Sequence, residues 1–168
     1  MQRSIEMYEV GDKVVYPMHG AGVIESIEEK EFFGEKIKYY VMKMPLGEMR
    51  IMIPVSKAVS IGIRSVIDKS VADMVLDSLE KANNENDEEE TANWNRRYRE
   101  NMDKIRSGNI FEVAEVVRTL TIRERQKGLS TGERKMLNSA RRILISELVF
   151  AENKEPDEIE NMINRRIK

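Results

Sequence analysis

The sequence has no cysteine, one histidine and one tryptophan, and aromatic residues make up only 6% of it. Without cysteine there are no disulfides and no thiolate metal sites, which fits a reducing cytosol. The single histidine, His19 in "YPMHGAGVI", supplies too few groups for a catalytic triad or a metal cluster. "GAG" at 20–22 lacks the rest of a dinucleotide fingerprint, and neither a Walker loop nor HExxH occurs. No apolar run approaches the roughly 18 residues that span a bilayer. No charged-then-apolar leader resembles a signal peptide. The expectation is a cytoplasmic protein that is not an enzyme, carries no cofactor or metal, and does not enter a membrane.

Charge is what the chain has in quantity, at 35% of its 168 residues, and its distribution says more than the net −2. Residues 1–67 balance nine basic against nine acidic side chains. "ENDEEE" at 85–90 carries five acids and no base, and residues 94–142 carry thirteen bases against six acids. A basic block behind an acidic spacer points to a polyanionic partner, or else to a helical surface that is simply solvated.

The first 67 residues carry β patterns. "GDKVVY", "GVIESIEEKEF" and "IKYYVMKM" are rich in strand formers, and "FGEK" and "PLGE" supply turns. "MRIMIP" alternates most cleanly, with Met49, Ile51 and Ile53 expected on one face and Arg50 and Met52 on the other. About five short strands in so short a stretch, these four segments among them, predict a small, bent sheet of SH3 or Tudor type. Pro54 favours an edge position for the last of these strands. An edge strand offers unpaired backbone groups for β-addition by another protein, although a half-exposed strand with one stray Met fits the pattern as well. Residues 1–6 precede a second methionine, Met7, and are given no role.

Residues 68–168 carry helical periodicity. A first helix is expected to begin at Ser70, capped with Asp73. "NWNRRYRENMDKIRSG" puts Trp94, Tyr98, Met102 and Ile105 on one stripe and stops at Gly108. Asn109 opens the next helix, Ser130 and Glu133 form a capping box for a long one, and Pro156 starts the last. The prediction is α+β: a small Tudor/SH3-like β domain over 1–67, then a compact all-helical domain of about five helices over 68–168. Arg96, Arg97 and Arg99 crowd the first turns of the tryptophan helix, where the macrodipole disfavours cations by roughly 0.3–1 kcal/mol each. A phosphate backbone would reverse the sign of that cost. By periodicity alone Trp94 is equally a core residue.

"VGDKVVYPMHGAGVI", "GEKIKYYVMKMPLGEMRIMIPV", "NWNRRYRENMDKIRSGNIFEVAEVVR" and "GLSTGERKMLNSARRIL" together resemble the CarD/CdnL family of bacterial transcription regulators. The β part alone also resembles the polymerase-binding module of transcription-repair coupling factors; the helical part with its Asn-Trp separates the two. The resemblance implies a monomer that binds the RNA polymerase β subunit by extending its sheet and touches promoter DNA at the upstream edge of the −10 region. There the family tryptophan acts as a minor-groove wedge that stabilises the open complex. Carried over, the polymerase-facing residues are Lys30, Phe32, Arg50, Ile51, Met52 and Pro54. The DNA-facing residues are Trp94, Arg96, Arg97 and Arg99, with Arg134 and Lys135 from the later helix. Some members have arginine where this sequence has Met52, a departure that either removes one charged contact from the pattern or leaves it to Arg50.

Overall fold

The structure is a computed structural model that describes residues 6–81 and 94–168. The acidic spacer at 85–90 lies outside the described residues. The sheet half contains β1 (Lys13–Tyr16), β2 (Gly20–Phe32), β3 (Glu35–Lys43), β4 (Arg50–Pro54) and β5 (Arg64–Ser65). The strand order is β4-β3-β2-β1-β5, with every neighbouring pair antiparallel. A 3-10 turn, Val55–Lys57, and a short helix α1 (Ala58–Ile61) link β4 to β5. Val14, Ile24, Tyr40, Met42 and Ile53 centre the core of this half. The fully buried Tyr40 accepts hydrogen bonds at its hydroxyl from the backbone N–H groups of Met7 (2.8 Å) and Tyr8 (3.3 Å). Met7 and Tyr8 are thereby pinned to β3. Glu6 also has a role that the sequence did not give it: its carboxylate accepts from Lys38 Nζ at 3.0 Å.

β2 alternates only in part because of a bulge. The β2–β3 register steps from Ile24↔Met42 to Ser26↔Val41, leaving Glu25 as the extra residue. A bulge shifts the inward face by one residue, so Ile24 and then Ile27 pack on the core. Beyond it, β2 and β3 run on as a two-stranded arm closed by the pair Phe32↔Glu35. Its tip residues, Phe33 and Gly34, both have positive φ (51° and 83°), as a two-residue hairpin turn requires. In "MRIMIP" one assignment is corrected. The strand starts at Arg50, Ile53 is buried and Ile51 packs on the core, but Met49 is exposed. Met49 belongs to the turn, where its carbonyl accepts from Met44 N.

The helical half comprises α2 (Lys69–Ser78), α3 (Trp94–Arg106), α4 (Ile110–Gln126), α5 (Thr131–Glu152) and α6 (Pro156–Arg166). Its separate core gathers Leu76, Ile105, Val117, Leu120, Leu144 and Ile159, among others. α4 and α5 start where their caps predict, with Asn109 Oδ1 accepting from Phe111 N and Ser130 Oγ from Glu133 N. The cap of α2 is Asp68, which accepts from Val71 N at 2.9 Å, and Ser70 lies inside the first turn. The expected Ser70–Asp73 box is replaced by this earlier cap, and Asp73 instead pairs with Lys69 along the helix. No helix among the described residues is long and apolar enough to cross a membrane.

The two halves meet along α5. Ala21 N–H donates to the buried Ser146 Oγ at 2.8 Å. A Cβ at Gly20 (φ 104°) would stand 2.5 Å from the same oxygen, so only glycine allows this approach. Beside it, Arg64 of β5 forks onto Glu147 of α5 with two hydrogen bonds of 2.7 Å and donates through Nε to the Gly108 carbonyl at 2.9 Å. Glu147, whose side chain is 1% exposed, also accepts from Ile67 N at 3.0 Å. The sheet and the helices are therefore joined by a partly buried, bidentate charge pair whose carboxylate is fully enclosed.

Candidate nucleic-acid and protein interfaces

Trp94 is the first residue of α3, and it lies apart from the core it could have joined. It is 41% exposed, whereas Ile105, three turns on along the same stripe, is buried. The indole stacks on Tyr98 with ring centroids 5.1 Å apart and an interplanar angle of 22°. Its Nε1–H donates to Glu133 Oε1 of α5 at 3.2 Å. Tryptophan combines a large apolar face with a polar edge that seeks an acceptor when partly buried, and both demands are met here.

The arginines behind it divide. Arg96 is exposed and pairs with Glu100 one turn on at 3.0 Å. Arg99 is exposed too. Arg97 points inward: its side chain is 12% exposed and lies 3.5 Å from Glu133 Oε2. All three were expected to face DNA, but α3 turns 100° per residue and Arg97 falls on its packed side. Arg134 and Lys135 occupy exposed positions on the first turns of α5, close to Trp94 because Glu133 precedes them. Arg134 stands 3.9 Å from Glu124. Below Trp94 an open groove of about 250 Å³ runs between α3 and α5, lined by Tyr98, Met102, Lys135, Met136 and, from the β1–β2 turn, Met18.

Glu133 was legible only as a capping residue, yet it gathers this corner. It accepts from Ser130 Oγ (3.1 Å) and Trp94, and it faces both Arg97 and Arg123 (3.6 Å). Burial works to raise its pKa, but the hydrogen bonds from Ser130 and Trp94 and the charge of Arg97 outweigh burial and hold it below the ordinary 4.5. A carboxylate with a depressed folded pKa stabilises the fold fully above the unfolded value and loses that contribution as pH falls through the folded one. Because Trp94 is the sole tryptophan, its fluorescence follows this event. On acidification its emission is expected to change in a transition whose midpoint lies below pH 4.5; a transition centred above 4.5 would contradict the geometry.

The second surface is the sheet edge. β4 pairs with β3 alone, so its other side is unpaired among the described strands. Along it, Met52 is 38% exposed and accepts a weak contact at Sδ from Lys30 Nζ at 3.7 Å. Arg50 forks onto the bulge residue Glu25 at 2.6 and 3.1 Å. Phe32 packs edge-on against Tyr39, while Phe33 at the arm tip is fully exposed. The structure brings Lys30 and Met52 together, with Ile51 half-turned to the core and Pro54 closing the strand, but it does not gather all the expected residues: Arg50 stands opposite Lys43 at the end of β3, whereas Phe32 stands opposite Glu35 at its start, out on the arm. Phe33 joins Phe32 there unforeseen, since the sequence marked its position only as a turn. His19 packs edge-on against Tyr16, and the described residues hold no group of three or more metal-ligating side chains.

Two family matches divide the chain in the same order. Residues 8–67 match the CarD-like/TRCF RID domain and residues 75–164 match CarD, C-terminal domain. The chain is also 46% identical over 142 residues to the protein named "Putative transcription factor YdeB" of Bacillus subtilis (strain 168), covering 84% of this chain and 90% of that protein. With both halves matched in order, and a relative this similar along most of its length, the chain belongs to the CarD family of transcription regulators.

Proposed function

We propose that this protein regulates transcription initiation by binding the RNA polymerase β subunit through its sheet edge and promoter DNA through the paired N-termini of α3 and α5. The observation that carries the reading is Trp94: a half-exposed indole, braced by Tyr98 and Glu133, at the N-terminus of a helix beside exposed Arg96 and Arg99. An aromatic wedge entering a base step costs a few kcal/mol of unstacking. At the upstream edge of the −10 region that cost is partly met once melting begins, so the wedge favours the open complex over the closed duplex. Arg96, Arg99, Arg134 and Lys135 would hold phosphates, which gives position without sequence readout. So few contacts are weak alone, and tethering through the polymerase supplies the missing effective concentration.

The polymerase side rests on the unpaired edge of β4 and the match to a RID domain. Backbone pairing along Arg50–Pro54 gives affinity, and Lys30, Phe32 and Met52 give specificity. In the full-length chain, Lys30→Glu and Arg50→Glu alter exposed side chains and should leave the melting temperature within about a degree or two. Each should weaken capture by the polymerase β subunit roughly three- to tenfold, the usual scale for an interface-rim charge. Capture at wild-type affinity by both variants would remove β4 from the interface.

A further inference from the structure

Glu133 is over-provided for a capping residue. In a capping box the N3 carboxylate needs only to reach back to the N-cap N–H. Here that contact, to Ser130 N, is long at 3.5 Å, while Oε1 accepts from Trp94 Nε1 at 3.2 Å and from Ser130 Oγ at 3.1 Å. Oε2 is turned to Arg97 and Arg123. The residue is buried although its neighbours Gly132 and Arg134 lie nearer the surface. Tyr98 occupies one face of the indole and sets its plane, but stacking leaves the ring able to slide and flip in that plane. A hydrogen bond at Nε1 removes that freedom.

We infer that Glu133 is the positioning residue of the wedge: its carboxylate fixes the direction in which the Trp94 indole projects, so that the face opposite Tyr98 is presented to the DNA. This rests on the wedge reading above and adds how the wedge is aimed. Glu133 need not touch DNA. It acts through Trp94 by removing rotational freedom before binding, which lowers the entropic cost of docking.

Two other roles would give different results. If Glu133 merely capped α5, Ser130→Ala, which breaks the same box from the other side, would reproduce its loss. If it merely tempered the charge of Arg97 and Arg123, Glu133→Gln and Glu133→Ala would behave alike. The positioning role separates them, because glutamine keeps an acceptor for the indole and alanine does not.

The test uses the full-length chain and two readouts, the emission and anisotropy of Trp94 in the free protein and the lifetime of the polymerase–promoter open complex. Glu133→Ala should red-shift the emission, lower the anisotropy and shorten the lifetime roughly three- to tenfold, the scale of one hydrogen bond. Glu133→Gln should stay close to wild type in both, and Ser130→Ala should leave the emission unmoved. In a Trp94→Phe background, Glu133→Ala should shorten the lifetime no further. Should Glu133→Ala fold poorly, Glu133→Asp keeps the charge but is one methylene too short to hold the indole, and it should give the same emission shift. Unchanged emission in Glu133→Ala or Glu133→Asp, or an equal shift in Ser130→Ala, overturns the inference. If the emission shifts while Trp94→Ala leaves the lifetime unaltered, the wedge reading itself has failed, and with it any functional use of the aim.

Discussion

Arg64→Ala is expected to destabilise the protein by about 3 kcal/mol, the lower end of what breaking a buried ion pair costs. The Glu147 carboxylate is 1% exposed and would keep only the Ile67 N–H as a donor, while the Gly108 carbonyl would lose its partner. Arg64 itself is 30% exposed, which is why the lower end applies. For a chain of this size that amounts to a fall of roughly 6–12 °C in Tm. Arg64→Lys should fall between, since an ammonium cannot fork onto a carboxylate. Replacing the pair together, as Arg64→Met with Glu147→Leu, should recover most of the loss, because a well-packed apolar pair avoids the desolvation of two charges. Thermal and urea unfolding of the three variants decide the matter. A loss under about 1 kcal/mol for Arg64→Ala would mean that the pair is as weak as a surface salt bridge.

The pair bears on the proposed function as well as on stability. α5 carries Glu133, Arg134 and Lys135 at one end and Ser146 and Glu147 further on. The helix that presents the candidate DNA face is therefore the one clamped to the sheet whose far edge, β4, is the candidate polymerase face. Fixing α5 against β2 and β5 fixes the distance between the two surfaces, so that under the proposed function a protein bound to polymerase would deliver Trp94 to one place on the DNA.

How far the sequence revealed this depends on the range of the interaction concerned. Local signals were legible: the caps Asn109 and Ser130, the helix start at Pro156, the strand alternation around Ile51 and Ile53, and an edge position inferred from Pro54. The bulge at Glu25 was not, since one inserted residue looks like imperfect alternation. Asp68 was passed over for Ser70 because both are capping residues, and only the path of the chain out of β5 chooses between them. The joint between the halves left no local trace. Arg64 and Glu147 lie 83 residues apart, and in so charged a chain nothing marks two among many as partners. Arg97 shows the same limit on a smaller scale: its neighbours Arg96 and Arg99 are exposed, and only its approach to Glu133 distinguishes it.

Trp94 could not be placed by periodicity, which makes it as suitable for a core as for a surface. Its position is half-exposed, stacked and hydrogen-bonded, so Trp94→Ala removes one aromatic pair and one hydrogen bond and no core packing. The expected stability loss is roughly 1 kcal/mol. Emptying a buried tryptophan site would cost about 3–5 kcal/mol. The functional loss should be larger. An aromatic ring stacked on an unpaired base contributes about 1–3 kcal/mol, which corresponds to a change of some five- to a hundredfold in the stability of the complex it supports.

The most direct measurement is therefore made on Trp94→Ala and wild-type protein side by side, following unfolding and the decay of the polymerase–promoter open complex under competitor challenge. The wedge account expects Tm to fall by only a few degrees and the open-complex lifetime to shorten on the order of tenfold, with capture of the variant by the polymerase β subunit unchanged. A large loss of stability, or an open complex that outlives the challenge as well as it does with wild-type protein, would contradict it.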